Sequence, residues 1–315
     1  MKAVLIDKVT KSEDIQLSEV AIPSIKEGYV LVKIKAFGIN HSEKLLRTFE
    51  IENDYIHKPI IPGIECVGEI VNPSDSAFVK GDKVIALMGG MGRSFNGSYA
   101  EYALLPTKNV FKINSDMSWE LLGSIPETYF TAWGSLFECL KLQKEDTLLI
   151  RGATCALGYA AIKIAKALGC KVIGTTHKKG KFYLLNECDE VVLDEGILQG
   201  KIVADKVLEL IGPKTLKDSL KCVYKNGIVC QTGLLGGVYV LDDFDPIKDI
   251  PNGVYLTGFF SNYPTQEIID EMFDFINKHH LEPSIGACYD FKDIRQALMD
   301  IDNHKVEGKV VIRLE

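Results

Sequence analysis

The sequence lacks any run of about eighteen uninterrupted apolar residues, which excludes a membrane-spanning helix of ordinary length. It lacks a Cys-x-x-C pair: the eight cysteines (66, 139, 155, 170, 188, 222, 230 and 288) are scattered, so a structural zinc site has no ligand spacing to stand on. Cys66, Cys170 and Cys230 fall inside apolar patterns and read as reduced, buried small hydrophobes. It lacks a positive charge excess as well. A net charge of −7 argues against nucleic acid as a partner. The opening Met1-Lys-Ala-Val-Leu-Ile-Asp7 is a short strand cut by Lys and Asp, not a signal peptide, and the expectation is a cytosolic protein.

What is there begins with Thr147–Thr176. Thr147 to Ile150 are apolar or β-favouring, as a strand buried on both faces should be. Gly152 opens a turn, after which Leu157, Ala161, Ile164 and Leu168 advance by helical spacing. Gly169 stops the helix and Lys171 starts a second strand, which makes a βαβ unit. The first helical turn has free N–H groups and the positive end of the macrodipole, so loop 152–157 suits a pyrophosphate. Gly152 and Gly158 let it come close, although Cys155-Ala156 replaces the middle glycine of the usual fingerprint. An NAD site would place Asp or Glu at the end of the second strand. Thr175-Thr176-His177-Lys178-Lys179-Gly180-Lys181 stands there instead, with no carboxylate before Glu187, and the charge predicts NADP.

Length suffices for about two domains. Residues 1–115 read as short strands with turn punctuation, an antiparallel, partly closed β domain. Residues 126–137 look helical. Strands at 147–153, 170–176, 190–194, 206–211, 227–233 and 254–260 then alternate with helices, as in a doubly wound parallel sheet. Thr265–Lys278 is an amphipathic helix with Ile268, Ile269, Met272, Phe275 and Ile276 inward. Asp293–Ile301 is another helix, and 308–314 is a closing strand.

Ala36-Phe-Gly-Ile-Asn-His-Ser-Glu43 and Pro59-Ile-Ile-Pro-Gly-Ile-Glu-Cys-Val-Gly-Glu-Ile-Val71 carry a further signal. Together with the nucleotide turn, Gly81-Asp-Lys-Val84, Gly97-Ser-Tyr-Ala-Glu-Tyr102 and Gly308-Lys-Val-Val, they resemble the medium-chain dehydrogenase/reductase superfamily, in order and spacing. The resemblance implies an α/β fold: a Rossmann doubly wound parallel sheet (118–265) plus a GroES-like, β-rich substrate domain from both chain ends (1–117 and 266–315). Substrate and nicotinamide would meet in the cleft between them. Zinc-dependent alcohol dehydrogenases of the superfamily have Cys and His where Asn40 and Ile64 stand here, and the four-cysteine lobe is missing. Asn is a poor zinc ligand and Ile none, so no metal is expected.

The zinc-independent NADPH:quinone reductase branch is the nearest likeness, and it implies hydride transfer to a quinone or α,β-unsaturated carbonyl. By that resemblance Asn40 would contact a substrate or cofactor carbonyl, and Tyr55 would be a wall or donor. An asparagine capping a helix and a surface tyrosine are the plainer readings of the same two residues. Thr131 would lie near the nicotinamide, Ala156, Leu157 and Gly158 under the pyrophosphate, and Thr176, Lys178 and Lys181 at the phosphate end. Gly233 and Leu234 would border the nicotinamide, with Phe259 and Lys309 among the later pieces. The alanine at 156 predicts a modest loop shift unless the turn there needs φ > 0. A homodimer through the Rossmann sheet edges is implied. Two other functions fit the residues: a zinc-type alcohol dehydrogenase with atypical ligands, and a non-catalytic NADPH-binding protein.

Overall fold

Alternation decides the first half of the chain. In Tyr29–Ile39, Val30, Val32 and Ile34 are fully buried and the residues between them are half-buried, as one core-facing pleat requires. In the computed structural model, which describes residues 1–315, the elements up to residue 133 are β1 (Lys2–Val4), β2 (Leu17–Glu19), β3 (Tyr29–Ile39), α1 (His41–Thr48), β4 (Glu65–Asn72), β5 (Lys83–Leu87), β6 (Tyr102–Pro106), β7 (Val110–Lys112), α2 (Trp119–Gly123) and α3 (Pro126–Trp133). A π-helical turn, Gly134–Cys139, follows where the sequence predicts continued helix to Phe137. Next come β8 (Thr147–Arg151), α4 (Ala156–Leu168), β9 (Lys171–Thr176), β10 (Glu190–Leu193), β11 (Ala204–Glu209), α5 (Pro213–Ser219), β12 (Val223–Gln231), α6 (Pro246–Asp249) and β13 (Tyr255–Gly258). The chain closes with α7 (Gln266–Lys278), β14 (Ile285–Asp290), α8 (Ile294–Asp302) and β15 (Lys309–Arg313). No helix is long and apolar enough to cross a membrane.

Two compact units result: Met1–Glu127 with Asn262–Glu315, and Thr128–Ser261. The sequence places the junctions at 117/118 and 265/266. In the first unit the sheet runs β14-β15-β3-β4-β5-β7, with β6 also on β3. Its pairs are antiparallel except β14 with β15, which α8 joins by a crossover. The antiparallel expectation for residues 1–115 therefore holds, and the parallel β14–β15 pair lies outside it. Phe37, Leu46, Ile51 and Ile60 pack there with Ile294 and Leu298 of α8.

In the second unit six parallel strands run β10-β9-β8-β11-β12-β13. The first strand in sequence lies at the centre and the order reverses beside it, between β8 and β11, which is where such sheets bind ligands. Leu149, Ile173, Val207 and Val229 from the strands meet Leu216 and Leu220 on α5 and its C-terminal end. All eight cysteines are unpaired; Cys66, Cys170, Cys222 and Cys230 are buried, and Cys288 is exposed.

Candidate functional site

The second unit supplies the dinucleotide turn. Gly152 leaves β8 with φ of 81°, in the left-handed region, and its N–H donates to Thr175 Oγ1 at 3.0 Å. Cys155 is the N-cap of α4 at φ −145° and ψ 168°, so the position that often holds glycine here uses ordinary extended backbone. Its Sγ accepts from Gly158 N at 3.3 Å. Burial pushes this thiol up to about 11, against the hydrogen bonds from the helix N–H groups, so it carries no negative charge near neutral pH. Gly158 has no substitute: a Cβ there would lie 2.2 Å from Ala153 O. Ala156 and Leu157, the other two residues placed under the pyrophosphate, form the half-buried first turn of α4. A neutral cap, a helix N-terminus and a glycine contact make a cradle suited to a pyrophosphate.

Beneath the turn lies a charged network that the sequence reading missed. Arg151 is fully buried. It donates to both oxygens of Asp194 (2.7 and 3.1 Å), to Asp218 (2.7 Å), to Ser219 Oγ (3.0 Å) and to the Thr215 and Gly196 carbonyls. Burial works against its charge, but Asp194, Glu209 and Asp218 outweigh that and hold it above the usual arginine value. Asp194 is pushed up by burial and pulled further down by the Arg151 guanidinium and the Gly196 N–H, ending below the usual carboxylate range. Thr175, whose hydroxyl bonds Asp194 at 3.4 Å, links this network to Gly152 N–H.

At the end of β9, Thr176 is buried and its Oγ1 accepts from Lys178 N at 3.4 Å. Lys178 and Lys179 are exposed with no ion pair, and Lys181 is half-buried in the turn Lys179–Leu185. The exposed ammonium groups of Lys178 and Lys179, with no carboxylate from 175 to 186, fit a 2′-phosphate. Gly233 and Leu234 sit in the loop after β12. A Cβ on Gly233 would strike the Leu210 backbone, and Leu235 N donates to Leu210 O, which brings this loop onto the end of β11. Thr131 is buried on α3. Phe259 packs edge-on against Phe130 with ring centroids 5.7 Å apart.

The first unit holds the other candidates. Asn40 is the N-cap of α1; its N–H donates to Glu43 Oε2 at 2.8 Å, three residues on. Its side-chain Nδ2 donates to Glu65 Oε1 at 2.8 Å, and its Oδ1 accepts from Lys309 Nζ at 2.6 Å. Lys309 Nζ also lies 2.5 Å from Glu65 Oε1, both side chains being almost fully buried. Glu65 Oε2 accepts from Glu127 N at 2.6 Å, and Glu43 Oε1 from Ile64 N at 3.1 Å. Burial, then Glu65, pushes the Glu43 carboxyl above its usual value against the pull of Lys309. Lys309 and Asn40, placed apart by the resemblance as cofactor and acceptor contacts, are thus direct neighbours. Tyr55 is not in this cluster: it is 56% exposed, in the loop after the turn Glu50–Glu52.

A zinc ion does not fit these residues. Ile64 is buried and its side chain has no ligand atom, the Lys309 ammonium bonds both Asn40 Oδ1 and Glu65 Oε1, and no three His, Cys, Asp or Glu side chains gather as a ligand set.

Two family models match parts of the chain. Residues 26–115 match the alcohol dehydrogenase GroES-like domain, and residues 189–312 match the family described as zinc-binding dehydrogenase. A human quinone oxidoreductase is 29% identical over 100% of this chain and 98% of its own length. Among solved structures, AibC superposes with a TM-score of 0.89 at 21% identity, over 99% of this chain and 95% of that one. A mycobacterial protein complexed with NADPH does so with a TM-score of 0.84 at 23% identity, each chain covered completely. The chain belongs to the medium-chain dehydrogenase/reductase superfamily of oxidoreductases, in its quinone reductase-like branch.

Proposed function

We propose that this protein is an NADPH-dependent, zinc-independent reductase of quinones or α,β-unsaturated carbonyls. The observation that carries the reading is the Asn40–Lys309–Glu65 cluster, which presents an amide at a position where zinc-dependent relatives have a metal ligand, with a fixed cation bonded to it. Bound NADPH supplies the hydride. The chain's own residues do the rest. Gly152, Gly158 and the first turn of α4 take the pyrophosphate, and Thr176, Lys178 and Lys181 take the 2′-phosphate. Thr131, Gly233 and Leu234 flank the nicotinamide, with Phe259 among the later cofactor-binding pieces. Asn40 donates a hydrogen bond to the acceptor oxygen that gains charge, Tyr55 bounds the acceptor, and the proton comes from solvent. The names of the relatives and the NADPH complex of a structural neighbour support this assignment. The working form is a cytoplasmic homodimer joined along β13, one of the two edge strands of the parallel sheet.

The test is a binding comparison of NADPH with NADH, followed by NADPH oxidation with a small quinone and an enone. NADPH is expected to bind more tightly, about tenfold or more for a phosphate held by two ammonium groups, and to be oxidised by at least one acceptor. Tight binding with no turnover of either acceptor would overturn the catalytic reading in favour of a non-catalytic cofactor-binding protein.

A further inference from the structure

We propose that Lys309 is a positioning residue. Its buried ammonium and the Glu65 carboxylate lock the Asn40 amide in one of its two orientations, so that a single polarised N–H faces the acceptor. The inference rests on the function proposed above and names what prepares its donor. A primary amide is nearly symmetric in shape, and rotation by 180° exchanges oxygen and nitrogen. Here the two ends meet opposite partners. An ammonium can only donate, so the end 2.6 Å from Lys309 must be the oxygen. A carboxylate can only accept, so the end 2.8 Å from Glu65 must be the nitrogen. The flipped amide would set N–H against ammonium and carbonyl oxygen against carboxylate.

Several features make the clamp rigid. Lys309 is 2% exposed and Glu65 0%, so water screens their fields little. Glu65 is held by the Glu127 N–H, and Glu43 ties the backbones of residues 40 and 64 together. The lysine stem passes where a side chain on residue 38 would be: a Cβ on Gly38 would lie 2.1 Å from Lys309 Cε. One Nδ2–H is spent on Glu65, and the second has no protein partner on a residue that remains half-exposed. The cation on the oxygen end draws electron density through the amide and makes that second N–H a stronger donor. Lys309 lies 269 residues from Asn40 in sequence and acts through it, without touching the acceptor.

The test uses the full chain carrying Lys309→Met with Glu65→Gln, which removes the ammonium and the carboxylate together and leaves the local charge balanced. NADPH affinity, thermal stability and the KM for the acceptor are expected to stay near the parent values. kcat is expected to fall about tenfold to a hundredfold, somewhat less than the roughly hundredfold to thousandfold of deleting an oriented donor outright, because the amide itself is retained. In an Asn40→Ala background the same pair should cost nothing further, because the effect runs through the amide. If the double variant does not fold, Gly38→Ala displaces the lysine stem with every charge retained and should lower kcat in the same way. Selective 15N-asparagine spectra give a readout independent of turnover. The parent should show two widely separated side-chain amide protons, assigned by their loss in Asn40→Ala, and these should converge in either variant. A parent that reduces no quinone or enone sinks the functional reading, while the amide signals still judge the clamp. A folded variant with kcat within about twofold of the parent, or with unmoved amide signals, overturns the positioning role.

Discussion

At the scale of single residues, both part-sites rest on charges buried in pairs. Asp194 has its pKa lowered, so it contributes stability that is complete above the ordinary aspartate value of about 3.9 and is lost as the pH falls toward the native value. Asp194→Asn leaves Arg151 buried with one carboxylate fewer. It is expected to cost about 3 kcal/mol at pH 7, with the gap to the parent narrowing below about pH 3.9. Urea unfolding at pH 7 and pH 3 checks this; an equal gap at both would refute the pairing. An arginine ending the apolar run Leu148-Leu-Ile-Arg151 is visible in the sequence as an anomaly. Its partners are not, since Asp194 and Asp218 lie 43 and 67 residues away and nothing local connects them. Asn40 was legible by position, and Lys309 by the Gly-Lys-Val-Val run that holds it. Their direct bond was not, because a separation that large leaves no local pattern to read.

At the scale of elements, periodicity reads best where a single face is buried. The spacing after Cys155 places α4 at 156–168, and those are its bounds in the structure. For α7 the same reasoning is off by a fraction of a turn. Ile269, Met272, Phe273 and Ile276 are buried, while Ile268 and Phe275 sit at the margin, Phe275 against His279 with ring centroids 4.3 Å apart. Five apolar residues in a short stretch define a stripe, but only the packing partner decides which edge of it is covered. Phe273→Ala is therefore expected to cost about 3 kcal/mol and Ile268→Ala under about 1.5 kcal/mol. Thermal unfolding of the two variants checks the order, and a larger loss at Ile268 would contradict the burial seen here. β14 was not legible as a strand at all. Its Ile-Gly-Ala-Cys-Tyr-Asp sequence alternates weakly, and pairing with β15 through the α8 crossover supplies what local preference does not.

At the scale of the whole chain, the units differ in how they are threaded. Residues 128–261 are continuous and own a complete core, including Leu149, Val207 and Leu220. Expressed alone, this segment should unfold cooperatively. Residues 1–127 alone should not, because β15 is missing from the side of β3 and Ile294 and Leu298 from the core. Circular dichroism through a urea titration separates the outcomes, and cooperative unfolding of 1–127 would show that the returning segment is dispensable. The pairing of β3 with β15 also sets a timetable for synthesis. Once residue 40 has been added to the chain, 269 more must follow before Lys309 exists. At about 5–20 residues per second this takes roughly 13 to 54 s. Through that interval the nascent chain carries an unfinished apolar sheet, with one side of β3 unpaired and the core still waiting for Ile294 and Leu298.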